Sequence, residues 1–234
     1  MTETKAAIVT AAGRGIGAAC ARALAAAGYR VALMSPSGAA EALAAELGGV
    51  GVRGSVTEPA DLATLVTKAH ETFGRIDAVV ANTGHPARGR LLEIGDDDWH
   101  AGLDMLVLNV VRMARLVTPI MRAQGGGAIV NISALGAIEP SQRFPVSSTM
   151  RAGLAAFVKI YADAHAAEGI RMNSVLPGFV ENYPEDPDLV AQIPAGRYAR
   201  LAEVAGTVAF LLSSEAGYIT GQSIRVDGGL GRSL

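Results

Sequence analysis

Short apolar runs alternate with longer stretches of helical periodicity from one end of the chain to the other. The runs fall at residues 6–10, 30–34, 50–53, 77–81, 128–132, 170–175 and 223–226, and each reads as a buried strand. The stretches between them, at 16–27, 39–47, 59–73, 97–123, 147–167 and 201–212, predict helices. Gly28 is a good stop signal after the first helix. A strand–helix alternation of this kind implies a parallel sheet with helices on both faces. No internal repeat or low-complexity linker interrupts it, so residues 1–234 read as a single domain. In such sheets ligands bind beyond the carboxyl ends of the strands.

Composition narrows the choice of chemistry. Half of the 234 residues are apolar, which supports a large core, and the formal net charge is −2 with Lys and Arg scattered. Nothing in that balance calls for a nucleic-acid or polyanion surface. Cys20 is the single cysteine, which excludes an intramolecular disulfide and a cysteine-based metal site. His70, His100 and His165 are isolated on predicted helices, so no metal site is expected. No apolar run reaches the roughly 18 residues needed to span a bilayer, and the first residues lack the pattern of a signal peptide. No membrane partner and a cytoplasmic location are the resulting expectations.

Between the first strand and the first helix lies Thr10-Ala11-Ala12-Gly13-Arg14-Gly15-Ile16-Gly17. Glycines there allow a tight turn and let backbone N–H groups approach a diphosphate, which the helix N-terminus behind them favours. A plain tight turn would also use glycine, but the strand–turn–helix setting favours a nucleotide. The order of motifs then resembles the short-chain dehydrogenase/reductase family over essentially the whole chain. Thr10, Gly15 and Gly17 match its glycine loop, with Ala11 in place of the first glycine. Asn82-Thr83-Gly84 resembles the triplet after strand four, and Asn109 the helix asparagine. Residues 129–133 resemble strand five and Pro177-Gly178 the turn after strand six. Residues 218–222 and 226–229 match the C-terminal signature. The general likeness is to β-ketoacyl carrier-protein reductases. The resemblance implies a three-layer, doubly wound Rossmann-type α/β fold of about seven parallel strands, and an NAD(P)(H)-dependent oxidoreductase.

An NAD site usually has an acid about 20 residues past the glycines, on the ribose 2′-hydroxyl. The stretch Met34-Ser35-Pro36-Ser37-Gly38 has none. Arg14 sits where NADP-using members of the family often hold the 2′-phosphate, and a guanidinium suits a phosphate. NADP(H) is therefore expected over NAD(H). The positions implied for the cofactor are Thr10, Arg14, Gly15, Ile16, Gly17, Ser35, Ser55, Val56, Asn82, Gly84, Arg151, Pro177, Gly178 and Val180, with Ser55 and Val56 flanking the adenine.

The family's reaction uses a tyrosine as proton donor, a lysine four residues later and a serine on the substrate oxygen. The matching register here holds Ser147 for the tyrosine, Arg151 for the lysine and Ala134 for the serine, with Ser133 one residue early. Arg151 keeps the charge but cannot shuttle a proton. Ser147 has a far less acidic hydroxyl, closer to the backbone. The expected catalytic set is thus Asn109, Ser147 and Arg151, with His85 as a compensating acid, because histidine moves protons near neutral pH. Tyr183 is a second candidate, and an exposed loop residue is the competing reading for both. Glu139, Gln142, Arg143 and Phe144 fall near the mouth by resemblance. A short lid at 181–192 carries Glu181, Glu185, Asp186 and Asp188, which would discourage an anionic substrate.

The first functional reading is an oxidoreductase acting on a small carbonyl or alcohol with a non-standard site. A second is a nucleotide-binding sensor or assembly protein without redox chemistry. A third is a non-redox enzyme similar to halohydrin dehalogenases, which carry Arg in the lysine position. Assembly as a homotetramer or homodimer through the helices flanking strand five is expected by resemblance.

Overall fold

A computed structural model describes residues 4–233. Seven strands form one sheet: β1 (Ala6–Val9), β2 (Arg30–Ser35), β3 (Val50–Arg53), β4 (Ala78–Ala81), β5 (Gly127–Ile132), β6 (Ile170–Pro177) and β7 (Ser223–Val226). Every pairing is parallel and the order is β3-β2-β1-β4-β5-β6-β7. This is the expected doubly wound Rossmann-type architecture. The strand order reverses between β1 and β4, which opens a crevice at their carboxyl ends.

The strands can be almost wholly apolar because both faces are covered. Side chains alternate sides, so Ala6 and Ile8 face one core while Ala7 and Val9 face the other. One layer packs α3 (Pro59–Phe73), α5 (Asn109–Ala123) and α6 (Pro145–His165) on the sheet through Leu65, Val117, Leu154 and Ile129. The other packs α1 (Gly15–Ala26), α2 (Ala39–Glu46) and α8 (Leu201–Leu212) through Leu24, Leu43, Val208 and Val130. A Leu or Ile buried this fully is worth roughly 1.5–3 kcal/mol relative to exposure.

The long helix expected at 97–123 is broken in register. It comprises α4 (Asp96–Leu103), a π-helical turn over Asp104–Leu108, and then α5. Periodicity alone cannot see one inserted residue, and such bulges collect at functional sites. A short α7 (Pro187–Val190) lies within the segment expected to form a lid. Strand β6 runs two residues further than expected, to Pro177.

Candidate active site

The glycine turn is tied to its neighbours on both sides. The Thr10 hydroxyl donates to the Asn82 carbonyl at 2.7 Å and accepts from the Asn82 amide at 2.9 Å. The Asn82 side chain donates to the Ala11 carbonyl at 3.2 Å, and the Ala12 amide donates to the Met34 carbonyl at 2.9 Å. This fastens the turn to the ends of β4 and β2. Ala11 has φ +46°, a left-handed conformation for which glycine is better suited, and Gly15 has φ +57°. A Cβ at Gly17 would run into the Ala11 carbonyl oxygen and lie 2.7 Å from the Asn82 amide nitrogen, so only glycine lets α1 pack this closely. Helix α1 begins without a side-chain cap and without an acid in its first turn. Its first N–H groups are therefore free to meet an anion. Arg14 is exposed just before it, and Ile16 packs on the core behind.

Sequence reasoning missed Asn182. Its amide nitrogen stands 2.9 Å from where a Cβ of Gly15 would be, which brings a side-chain donor from the loop after β6 over the glycine turn. Only its position five residues after Pro177 could have flagged it. Gly178 packs closely on β7, where a Cβ would lie 3.0 Å from the Asp227 Cα. The Val180 side chain is buried in the core.

On the other side, Ser35 is buried, and its hydroxyl donates to the Ser37 carbonyl at 2.7 Å and accepts from the Ala40 amide at 3.1 Å. That hydroxyl shapes the turn into α2. Arg53, also missed, reaches this loop, with Nε 3.2 Å from the Pro36 carbonyl. Ser55 bonds the Thr57 hydroxyl at 2.8 Å, and Val56 is half-buried against the core.

Beyond β4 and β5 lies a small cleft, open to solvent, lined by His85, Pro86, Ala87, Arg88, Phe144 and Ser147. Arg151 is one turn along α6 from Ser147. Its Nε donates to the Ser147 hydroxyl at 3.2 Å and its Nη1 to the Ile132 carbonyl at 2.7 Å. Burial pushes the Arg151 pKa down to about 10, so it remains charged at neutral pH. His85 has its pKa lowered, first by loss of surrounding water although part of the ring is open to solvent, then by Arg88, Arg151 and Arg14. A neutral imidazole results.

Arg88 was not anticipated. Nothing in its local sequence marks it, since the fold brings its partners from distant segments. Its guanidinium lies 4.9 Å over the Phe144 ring and 5.5 Å from the Tyr183 ring centre, and it donates to the Tyr183 hydroxyl at 2.6 Å. Tyr183 meets His85 edge-on at 6.4 Å. The expected candidates Ser147, Arg151, His85 and Tyr183 therefore converge. Asn109 is different: its buried side chain donates to the Met105 carbonyl within the π turn. Ser133 is buried and Ala134 only partly so.

The remaining mouth residues divide. Phe144 lines the cleft, Gln142 is exposed, and Arg143 faces Asp186 at 4.0 Å. Glu139 turns to the C-terminal residues, accepting from the Arg232 and Ser233 amides at 2.5 and 2.6 Å. Glu181 accepts the Leu201 amide at 2.8 Å, and Asp186 caps α7 through the Asp188 amide at 3.1 Å. Among the described residues no cluster of three His, Cys, Asp or Glu could hold a metal, and no helix is long and apolar enough to cross a membrane.

A doubly wound sheet with a fastened glycine turn at its switch point, and a cationic cleft beyond β4 and β5, defines a class of nucleotide-binding oxidoreductases. Residues 10–231 match the family described as Enoyl-(Acyl carrier protein) reductase, and the chain belongs to the short-chain dehydrogenase/reductase family, whose oxidoreductase character it shares. It is 34% identical over 238 residues to the 3-oxoacyl-(acyl-carrier-protein) reductase FabG of Escherichia coli, covering 97% of this chain and 98% of that one. It is 36% identical over 237 residues to the 3-oxoacyl-(acyl-carrier-protein) reductase of Synechocystis, covering 96% of each. The FabG protein of Staphylococcus aureus is 34% identical over 246 residues, or 98% of this chain and 99% of the relative.

Proposed function

We propose that the protein, as one domain, is an NADP(H)-dependent oxidoreductase of a small carbonyl or alcohol, working without the family's usual serine, tyrosine and lysine. The observation that carries this reading is the adjacency of the fastened glycine turn, at β1, to the Ser147–Arg151 cleft beyond β4 and β5. The turn fits a dinucleotide by its own chemistry. Its helix N-terminus is uncapped, the Asn182 amide stands over Gly15, and the Thr83 hydroxyl is buried without a partner. Arg14, Gly15, Ile16, Gly17 and Asn182 would hold the diphosphate, with Thr10 and Asn82 fixing their geometry. Arg14 and Arg53 would favour a 2′-phosphate beside the Ser35 turn. Ser55 and Val56 would flank the adenine, while Asn82, Gly84 and Arg151 would meet the nicotinamide ribose. Pro177, Gly178 and Val180 would set the backbone path beneath them.

When bound, the dinucleotide supplies or accepts the hydride. The chain's own residues then have three tasks. Ser147 orients the substrate oxygen, and Arg151 stabilises negative charge on it, because a fixed cation in a dry site is worth most there. His85, neutral at the cleft edge, accepts the proton of the substrate alcohol as the hydride leaves, and in the reverse direction its protonated form returns it to the oxygen. Asn109 holds the π turn rather than touching the substrate. The reductase relatives do not favour the sensor or the dehalogenase reading. We further propose assembly through α5 and α6, where Ile160 is 67% exposed.

Calorimetric titration with NADPH and NADH, followed by turnover over a panel of small ketones, aldehydes and a 3-oxoacyl thioester, tests the reading. NADPH binding tighter than NADH, and turnover that falls at least 100-fold in His85→Gln, are the expected results. A chain that binds neither cofactor overturns it.

A further inference from the structure

The cleft carries positive charge on Arg151 and Arg88 that no ion pair among the described residues balances. Arg151 is 6% exposed, and its two bonded nitrogens meet a hydroxyl and a carbonyl, neither of which brings a negative charge. Its Nη2 has no protein partner among the described residues, yet it is not sealed from solvent. A guanidinium buried without a counter-charge is costly, and the cost is relieved by an anion.

At the mouth, Arg88 is held as a rigid fork. The Phe144 ring supports its face and the Tyr183 hydroxyl takes one N–H, which leaves four donors of five. Arginine fixed in this way matches a carboxylate through two parallel hydrogen bonds. The nearby acids are committed elsewhere. Asp186 caps α7 and faces Arg143, Glu181 caps α8, and Glu139 holds the C-terminal residues. Of the acids in the 181–192 segment, Asp186 has a cationic partner in Arg143, and Glu181 is turned onto the start of α8.

We propose that the cleft takes a substrate bearing a carboxylate, a short oxo-acid or hydroxy-acid, with its anionic end on Arg88 and its carbonyl or alcohol oxygen against Ser147 and Arg151. The redox half of this statement rests on the oxidoreductase reading; the carboxylate grip does not. A carboxylate on Arg88 shares its cleft with Ser147, to which the Arg151 guanidinium is bonded, and so lies in the field of both cations. The cleft is small and open to solvent, lined by the Arg88 and Phe144 side chains on one side and Ser147 on the other, which suits a short acid held at its mouth.

Calorimetry on the full chain, with NADP+ present so that no ketone is consumed, compares acetoacetate with methyl acetoacetate at constant ionic strength. Acetoacetate should bind at least tenfold more tightly than the ester. Arg88→Gln should abolish that preference and Arg88→Lys should keep part of it. Because Arg88 is exposed, neither variant threatens the fold. Equal affinity for acid and ester, or a preference that survives in Arg88→Gln, overturns the proposal. NADPH titration of the same proteins without added NADP+ separates the two readings. Cofactor binding without acid preference overturns the carboxylate site alone, whereas acid preference without cofactor binding overturns the oxidoreductase reading and upholds the site.

Discussion

His85 and Arg151 show how one residue's environment sets its chemistry. Both ionise less readily than in water, and for both the first cause is burial. The consequence differs because their ordinary ranges differ. Arg151 stays a cation at neutral pH, whereas His85, starting from 6.5, becomes a neutral imidazole. The sign for stability follows. Below about 6.5 the unfolded chain binds a proton at His85 that the folded chain refuses, so stability falls as pH drops towards the folded pKa. Above 6.5 both states are neutral there and the effect vanishes. Melting temperatures of wild type and His85→Gln, measured from pH 5 to 8, should therefore run parallel at the alkaline end. Below about 6.5 the wild type should fall faster. A constant difference across the range would show that His85 does not carry the lowered pKa.

At the scale of elements, the strands and the architecture were legible because both faces of the sheet are buried. That forces continuous apolar runs such as residues 128–132, and runs of that length have few other uses. The glycine turn was legible because its spacing follows from steric need at Gly17. The π turn before Asn109 was not, since it shifts the helix by a residue without altering its composition. Asn182 and Arg88 were equally invisible, because loops after β6 and β4 meet their partners only in the folded chain. Ala11 was noted as a missing glycine, but its cost needed the backbone. An L-residue in the left-handed region costs roughly 1–2 kcal/mol. The turn tolerates it because Asn82 and the Ala12 amide hold both sides. Ala11→Gly should relieve that strain at some loss of chain entropy, raising stability by about 0.5–1 kcal/mol in urea denaturation. A loss of stability would mean that the Ala11 methyl packs more favourably than its backbone suffers.

Across the whole molecule, the proposed ligand draws its binding groups from loops far apart in sequence but side by side at the sheet edge. The glycine turn follows β1, Asn82 and Gly84 follow β4, Arg151 lies on α6, and Asn182 follows β6. Neither half of the sheet supplies the set alone, so an unfolded chain has no comparable affinity. Binding to the folded state only then adds RT ln(1 + [L]/Kd), about 2.7 kcal/mol when the ligand is at 100 times its Kd. For a chain of 234 residues, 1 kcal/mol moves the melting temperature by roughly 2–4 °C, so saturating NADPH should raise it by roughly 5–10 °C. At the same concentration NADH should give a smaller rise, and Arg14→Ala should shrink the gap between the two. Gly17→Val should abolish both shifts, since its side chain would collide with the Ala11 carbonyl and push α1 away from the turn. Equal shifts from both cofactors in wild type would remove the 2′-phosphate from the account. An unchanged melting temperature with either would show that the fastened turn holds its own backbone together and nothing else.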